Sequence, residues 1–299
     1  MIVLLIFLFL LPPQSRASTD WVGNGGNLIE CQNPYNLMLL DYYEGQHRRN
    51  LTIDLGTSDS VDEKVLFVLN RLEKINPSRA QTYKTWFRVF YKEVEFFQGY
   101  KFGPIPDTGP LIIPNNCEIT QIGAQRPDNQ IMPGDSRYLI NETLWKQTNY
   151  ESRAGLILHE LIYREGISAQ QTTSTRVRYF NQIISSREFE SYDSLKILKL
   201  IQTVGFRYVD YYGIPIDLEN ARYYQSGAVR TAYAKGGEFI QGQKKMSLKN
   251  EWVVFNEDGT IQSIQKRESF FPASRSAKYF YYRDNDFSLF PNWISRRDP

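Results

Sequence analysis

The sequence predicts an α+β protein in which a mainly helical domain with a short strand element precedes a C-terminal antiparallel β-meander. Residues 18–204 contain several segments whose apolar residues recur at helical spacing. Residues 205–299 contain aromatic and β-branched segments separated by Gly-containing turns. The first pattern favours helices and the second favours hairpins. With residues 1–17 as a signal peptide, we predict three parts: 1–17, 18–204 and 205–299.

The first 17 residues are typical of a secretory signal peptide. Residues 2–11 are all apolar, which is about half of the roughly 20 residues that a membrane-spanning helix needs. Ser15 and Ala17 are small residues at the positions before a cleavage site. Because no Lys or Arg precedes the apolar run, an uncleaved N-terminal anchor and a buried strand remain alternatives. We expect a periplasmic or secreted protein with no transmembrane segment in the mature chain.

The chain contains two cysteines, Cys31 and Cys117. An even pair in an exported protein predicts a disulfide, with two buried reduced thiols as the alternative. A single pair provides too few thiolates for a four-cysteine zinc site or an iron–sulfur cluster.

The elements before residue 60 are predicted from short local patterns. "GNGGNLIEC", residues 23–31, indicates a Gly/Asn turn leading into a strand. "NLMLLDYYEGQHRRN", residues 36–50, indicates a short helix. "NLTIDLG", residues 50–56, indicates a second strand.

Two amphipathic helices follow. Ser60 and Glu63 form a capping-box pattern at the start of the first. Its apolar residues recur at helical spacing: Val61, Val65, Leu69, Leu72 and Ile75. The second is predicted over residues 78–97, with one apolar face made of Tyr83, Phe87, Phe90, Val94 and Phe97. Residues 99–117 are rich in Pro and Gly, which predicts an ordered loop that brings Cys117 back to Cys31.

Three more helices and a series of hairpins complete the prediction. The helices are expected at about 150–165, 174–185 and 191–203. "RYYQSGAVRTAY" and "EWVVFNEDGTIQSI" each place aromatic residues before a polar turn that contains Gly, which indicates a hairpin. The turn residues Gly227 and Gly259 are spaced as in a degenerate repeat, and the pattern resembles the YwqK/MORN-type hairpin repeats. That resemblance implies a β-meander and no activity. The aromatic-rich stretch of residues 279–294 is expected to add a further strand or a sheet edge.

One short motif is similar to the start of a zinc-protease helix. In "LILHELIYREG", residues 156–166, His159 and Glu160 have the expected spacing, but Tyr163 stands where the second histidine would be. His47 is the other histidine of the chain. A zinc site would therefore combine His159 with His47 and a carboxylate such as Glu165, or with Tyr163 as tyrosinate. This alternative makes His159 a metal ligand and Glu160 the catalytic general base.

The sequence favours a structural reading of the same helix. Glu160 and Arg164 have the spacing of an i, i+4 ion pair, and His159 and Tyr163 are then expected to be half-buried polar groups. Ser174 or Thr173 is expected to cap the next helix. Arg176 or Arg178 is expected to meet Glu160 or Glu165. The buried stripe of this helix is predicted as Ala154, Ile157, Leu158 and Leu161.

These residues also carry a resemblance. "GNGGN" with the following Cys, "LLDYYE", "CEITQI" and "LILHELIYRE" followed by "STRVR" resemble uncharacterised exported proteins of predatory deltaproteobacteria. The resemblance covers most of residues 20–185 and implies export without implying a reaction. His159, Glu160, Tyr163, Arg164 and Ser174 match the pattern of that group, so a site, if one exists, is expected there. The residues predicted to bind a ligand are Tyr163, Arg164, Ser174 and Arg176.

Composition limits the remaining function classes. The formal charge is +2, from 35 basic and 33 acidic residues, which is not the footprint of a nucleic-acid-binding protein. No Gly-x-Ser-x-Gly elbow or phosphate-binding loop occurs. Aromatic residues make up 14% of the chain, and aromatic faces pack against proteins or stack on sugars. We predict a non-enzymatic exported protein without a cofactor that binds an unknown protein or an envelope polysaccharide. The alternative is a zincin-like hydrolase that contains zinc.

Overall fold

A computed structural model describes residues 25–32, 36–99, 102, 113–241 and 244–265, without the side chains of 239–241 and 244. The predicted signal peptide, most of the Pro- and Gly-rich loop and the aromatic stretch 279–294 lie outside the described residues. Among the described residues, no helix has both the length and the apolar character needed to cross a membrane.

The described part of the chain confirms the α+β class. Its α-helices are α1 (Leu40–Arg49), α2 (Val61–Glu73), α3 (Pro77–Glu93), α4 (Glu142–Gln147), α5 (Tyr150–Ser168), α6 (Thr175–Ile184) and α7 (Ser194–Val204). Short 3₁₀ helices occupy Asp128–Gln130 and Arg187–Ser191. The strands of the first half are β1 (Asn27–Cys31), β2 (Asn36–Leu39), β3 (Val94–Phe97), β4 (Cys117–Gln121), β5 (Gly123–Gln125) and β6 (Tyr138–Asn141). Those of the second half are β7 (Tyr208–Tyr211), β8 (Ile214–Tyr223), β9 (Val229–Ala234), β10 (Gly237–Gln241), β11 (Lys244–Leu248), β12 (Glu251–Phe255) and β13 (Ile261–Gln265).

Two small sheets accompany the helices. The first has the order β2-β1-β4 with antiparallel pairing, and it places Cys31 opposite Cys117. The two sulfurs are joined in a disulfide, as predicted. The second has the order β3-β6-β5, in which β3 and β6 are parallel. Residues far apart in sequence therefore meet in both sheets.

The C-terminal strands form an antiparallel meander of order β13-β12-β9-β8-β7, with the β10-β11 hairpin between β9 and β12. Both predicted hairpin turns are present. Gly227 has φ +87° and Gly259 has φ +85°, a conformation that glycine adopts without steric cost. Turn chemistry therefore predicted this part of the fold well.

The capping prediction for α2 is confirmed at Ser60. The side chain of Ser60 accepts the backbone N–H of Glu63 at 3.4 Å. Ser58 links the two residues a second time, because its hydroxyl accepts the N–H of Ser60 and donates to the carboxylate of Glu63. The predicted buried stripe is also correct at Val65, Leu69 and Leu72, which are fully buried.

Three element predictions need correction. The helix predicted over 78–97 ends at Glu93, because Val94–Phe97 pairs with β6 as a strand. The helix predicted over 36–50 begins at Leu40, because Asn36–Leu39 pairs with β1. The strand predicted over 50–56 is reduced to one bridge between Ile53 and Ser186.

The buried apolar residues of the helices and of the five-stranded sheet form one continuous cluster. One face of the sheet contributes Val209, Ile216, Ala232, Val253 and Phe255 to it. Helix α7 contributes Ile197, Leu198 and Ile201 and packs against β7. The opposite face of the sheet, called the outer face below, carries the partly exposed side chains of Tyr208, Tyr233 and Trp252. Three polar side chains of the same face are buried: Asp210, Asp217 and Thr231.

Candidate functional site

Helix α5 is central to the helical region, and it holds the His-Glu pair. It begins after Asn149, whose side chain accepts the N–H of Ser152 at 2.8 Å. Helices α1, α2, α3 and α6 all contact it. A helix surrounded in this way is buried on most sides. His159, Glu160 and Tyr163 are accordingly 0% exposed, which corrects the expectation that His159 and Tyr163 are half-buried.

The imidazole of His159 is held by a buried carboxylate of α1. Its Nδ1 lies 2.9 Å from Oδ2 of Asp41, and the same oxygen accepts Nδ2 of Asn181 at 2.8 Å. The Asn181 amide also donates to the carbonyl of Gly155 at 3.0 Å. Three helices, α1, α5 and α6, are therefore joined at one point.

Charge stabilises this pair against the cost of burial. Burial alone would raise the pKa of Asp41, but the charge and hydrogen bond of His159 hold that pKa below its ordinary value. Burial alone would lower the pKa of His159, but the Asp41 carboxylate raises it. Both directions favour an imidazolium–carboxylate pair. Among the described residues, Nε2 of His159 and Oδ1 of Asp41 have no hydrogen-bond partner.

The network continues from Asn181 towards α1. Oδ1 of Asn181 accepts the hydroxyl of Ser185 at 3.2 Å, and Oγ of Ser185 accepts the hydroxyl of Tyr42 at 3.1 Å. Tyr42 follows Asp41 in the chain, so the series of bonds returns to the helix from which it started. Because the series of hydrogen bonds closes on itself, it indicates a structural role.

Glu160 faces a different set of partners. Its Oε1 accepts the backbone N–H of Gly26 at 3.0 Å, and its Oε2 accepts Nε2 of Gln125 at 3.3 Å. The same Gln125 nitrogen donates to the carbonyl of Glu160 at 2.9 Å. Burial raises the pKa of Glu160 to about 6, although the charge of His159 and these hydrogen bonds oppose the rise.

The contact with Glu160 explains the Gly-rich segment that follows the predicted signal peptide. A Cβ on Gly26 would lie 1.9 Å from Cδ1 of Leu156, and a Cβ on Gly25 would lie 1.8 Å from the carbonyl oxygen of Gly123. The neighbouring atoms therefore leave no space for a side chain at Gly25 or Gly26. The glycines allow the backbone to reach the carboxylate of α5.

Glu165 is held by α3. Its two oxygens accept Nε and NH2 of Arg79, each at 2.9 Å, and Oε2 also accepts the hydroxyl of Tyr83 at 2.5 Å. NH2 of Arg79 further donates to the carbonyl of Tyr208 at 2.6 Å, which connects the helices to the sheet. The partner of Glu165 is thus Arg79, where an arginine of α6 was expected.

The ring centre of Tyr163 lies 6.2 Å from that of His159, whereas the remaining residues predicted for the site have other partners. Arg164 pairs with Glu93 at 3.1 Å, which corrects the expected Glu160–Arg164 pair. Ser174 occupies the N-cap position of α6 and accepts NH1 of Arg178 at 3.2 Å. Arg176 is exposed on α6 next to Gly205.

Arg178 has a different acidic partner from the one expected. Its Nε donates to Glu44 of α1 at 3.1 Å. Arg178 is 1% exposed, so this ion pair lies in the core beside the Asp41–His159 pair. It adds a second polar link between α1 and α6.

The described residues do not assemble a ligand set for zinc. Within the part of the chain that the structure describes, no group of three His, Cys, Asp or Glu side chains could hold a metal ion. His47 lies at the C-terminal end of α1, where its ring is 4.4 Å from that of Tyr43. The orientation of His159 by Asp41 does resemble the way in which carboxylates orient zinc-binding histidines.

The outer face of the five-stranded sheet provides the second candidate surface. Paired residues place Tyr208, Asp217, Tyr233, Trp252 and Gln265 in one row across β7, β8, β9, β12 and β13. Residues directly opposite each other in a sheet lie on the same face. The three aromatic side chains of this row are partly exposed, whereas their neighbours on the other face are buried. We call these five residues the aromatic row.

Polar contacts fix the middle of the aromatic row. Asp217 Oδ2 accepts Nε of Arg207 at 2.9 Å and NH2 at 2.6 Å. Glu219 also pairs with NH2 of Arg207, at 2.7 Å. The guanidinium carbon of Arg207 lies 5.3 Å from the centre of the Tyr208 ring, and Nζ of Lys235 lies 3.4 Å from it. The rings of Tyr233 and Trp252 are 5.7 Å apart at 68°.

Comparison of the chain with models of protein families, with curated proteins and with solved structures finds no match. The resemblances to exported deltaproteobacterial proteins and to hairpin repeats therefore remain predictions.

Sequence reasoning missed Asp41, Asn181 and Gln125 as members of the buried network. Asp41 follows "NLMLL", and Asn181 lies between Phe180 and the pair Ile183-Ile184. A polar residue within an apolar stretch is a signal for a buried hydrogen bond, because buried polar groups are almost always paired. That signal would have identified the residues but not their partners.

Proposed function

We propose that this chain is an exported, non-enzymatic protein that binds a partner protein or an envelope polymer through the outer face of its C-terminal sheet. A contrast in exposure is the observation that supports the proposal. His159 and Glu160, the residues with catalytic character in the sequence, are 0% exposed and bonded to other parts of the core. Tyr208, Tyr233 and Trp252 are partly exposed in one row.

The disulfide supports the exported part of the proposal. Cys31 and Cys117 are joined, and such bonds persist in oxidising compartments outside the cytosol. The described residues contain no other cysteine. The predicted signal peptide is consistent with the same compartment.

The buried environment of Glu160 argues against its use as a general base. A general base must reach the proton that it removes, directly or through one water. Both oxygens of Glu160 already accept hydrogen bonds, from Gly26 and Gln125. The backbone at Gly123 also approaches closely, since a Cβ there would lie 3.3 Å from Oε1.

Sedimentation with envelope fragments tests the proposal. The purified mature protein, residues 18–299, is mixed with washed envelope fragments from the producing cell and the bound fraction is measured after centrifugation. We expect saturable binding that Trp252→Ala weakens. Tyr91→Ala is the matched control, because Tyr91 is 47% exposed on α3 and its hydroxyl bonds Asp62 of α2, so that it is not part of the aromatic row. No binding, or equal loss in both variants, would contradict the proposal.

One observation favours the zinc hydrolase as a second candidate, namely the orientation of His159 by Asp41. Elemental analysis of the purified mature protein separates the two functions. We expect far less than one zinc per chain, unchanged in His159→Ala. About one zinc per chain that disappears in His159→Ala would replace the binding proposal with the hydrolase.

A further inference from the structure

We infer that the aromatic row is a binding site for an extended, uncharged polysaccharide that runs across the strands. This inference rests on the proposed function and names the class of its ligand. The row comprises Tyr208, Asp217, Tyr233, Trp252 and Gln265, defined by strand register.

The sequence of side chains along the row matches the chemistry of a sugar chain. A pyranose has apolar C–H faces and hydroxyls around its edge. Aromatic rings can contact the C–H faces, and planar carboxylate, guanidinium and amide groups can bond the hydroxyls. The row supplies partly exposed aromatic rings at Tyr208, Tyr233 and Trp252 and an amide at Gln265. Asp217, between Tyr208 and Tyr233, is itself buried. Arg207 adds a guanidinium beside the carboxylate of Asp217.

The spacing of the row is suited to successive sugars. Neighbouring strands lie about 4.8 Å apart, so that Tyr208 and Tyr233, two strands apart, are separated by about 10 Å along the row. A sugar unit in an extended chain advances by a distance similar to one strand spacing. The row is therefore long enough for several consecutive sugars. A disaccharide would contact only part of it.

The polar centre of the row is rigid before any ligand arrives. Asp217 accepts two bonds from Arg207 and one from the N–H of Glu219, the last at 3.0 Å. Its side chain is 11% exposed, whereas that of Arg207 is 51% exposed. The accessible group is therefore the guanidinium of Arg207, and because Asp217 and Glu219 hold it, it loses little conformational freedom when a ligand binds.

The charges around the row favour an uncharged ligand over a polyanion. Two cations, Arg207 and Lys235, lie against Tyr208. Two carboxylates, Asp217 and Glu219, pair with Arg207. These four charges sum to zero, so they provide no net attraction for a polyanion.

The same charges disfavour a protein as the ligand. A protein interface would remove the half-exposed guanidinium of Arg207 from water, and burying a charged group is costly. Sugar hydroxyls and the water around them would keep this guanidinium hydrogen-bonded. The observations therefore favour a neutral glycan, and a protein partner becomes an outcome of the test.

Calorimetry with cellohexaose and chitohexaose tests the inference on the mature chain, residues 18–299. We expect at least one hexaose to bind, and to bind about tenfold more tightly than its disaccharide. Trp252→Ala and Tyr233→Ala should each weaken binding by about tenfold or more, while Tyr91→Ala should not. Trp252→Phe keeps a ring at the position and should retain part of the affinity, which separates a lost contact from a misfolded variant.

Two results would overturn the inference. The first is no heat of binding with either hexaose while envelope fragments still bind in a Trp252-dependent manner. In that case the outer face binds another ligand and the proposed function survives. The second is hexaose binding that is insensitive to both alanine variants, which would place the glycan elsewhere. If neither hexaose nor envelope fragments bind, both proposals fail.

Discussion

Glu160 accepts hydrogen bonds from Gly26 and Gln125 inside the core, yet burial still raises its pKa to about 6. The ordinary value is 4.5, so the folded protein holds this proton more tightly than the unfolded chain does. The stabilisation that results is complete below pH 4.5 and is lost as the pH rises through 6. His159, whose pKa is also raised, loses its contribution only above its ordinary value of 6.5.

The substitution Glu160→Gln should therefore flatten the pH dependence of stability. Gln keeps the shape and an acceptor for Gly26 but cannot ionise. The rise of the Glu160 pKa from 4.5 to about 6 corresponds to about 2 kcal/mol. We expect the fall in the free energy of unfolding between pH 4.5 and 6.5 to be smaller by about this amount in the variant. Urea unfolding at several pH values measures it.

Glu95→Gln is the control for this experiment, since it removes the same charge at an exposed position of β3. In this variant the free energy of unfolding should depend on pH as it does in the wild type. If Glu160→Gln also showed the wild-type pH dependence of the free energy of unfolding, the buried carboxylate would not titrate in this range.

At the scale of elements, the close packing of α5 against α1 depends on Gly155. A Cβ there would lie 2.5 Å from ring atoms of Tyr42 and 2.6 Å from Cδ2 of Leu39. The carbonyl of the same residue accepts the Asn181 amide. Glycine is a weak helix former in isolation, yet it is required at position 155, where α5 meets α1.

Gly155→Ala should destabilise the protein even though alanine is the better helix former by about 1 kcal/mol. Overpacking of a core typically costs about 1–3 kcal/mol, and here the ring of Tyr42 is bonded to Ser185 and cannot move freely. Thermal and urea unfolding measure the loss. Gly237→Ala, where a Cβ would meet nothing within 4 Å, should change stability by less than about 0.5 kcal/mol. If Gly155→Ala and Gly237→Ala were equally stable, α1 would have to move away from the added Cβ of α5 without an energetic cost.

The elements that could be predicted from sequence are those with local signals. Ser60 begins α2, and Gly227 and Gly259 form the hairpin turns, because each signal lies within a few residues of the structure that it specifies. Strand β3 could not be predicted, since its partner begins at Tyr138 and the segment Val94–Phe97 continues a helical apolar pattern. The Asp41–His159 contact was missed for the same reason, as its members lie on different helices.

At the scale of the whole molecule, the Cys31–Cys117 disulfide joins residues 86 positions apart. The bond crosses from β1 to β4 at residues that are paired in the sheet. It also closes the predicted Pro- and Gly-rich loop, most of which lies outside the described residues. The bond limits the freedom of a long part of the unfolded chain.

Replacing both cysteines by serine should lower the free energy of unfolding by several kcal/mol. The chain-entropy model gives about 4.5 kcal/mol for a loop of this length. Chemical unfolding of the double variant measures the loss, and reduced wild-type protein should show a similar loss. Two free thiols in non-reducing mass spectrometry of the exported protein, or unchanged stability of the double variant, would contradict the prediction.

The attachment of Gly26 to Glu160 has a consequence for the order in which the chain can fold. Gly26 lies close behind the predicted cleavage site, but its carboxylate acceptor follows 134 residues later. The pairing of β1 with β4 likewise waits for residues 117–121. If the chain is exported as proposed, with its N-terminus crossing the membrane first, this leading segment completes its native contacts only after residues 117–121 and Glu160 have followed. Closure over so many residues is slow, so in an exported chain the leading segment would still lack these contacts while it passed through a translocation channel.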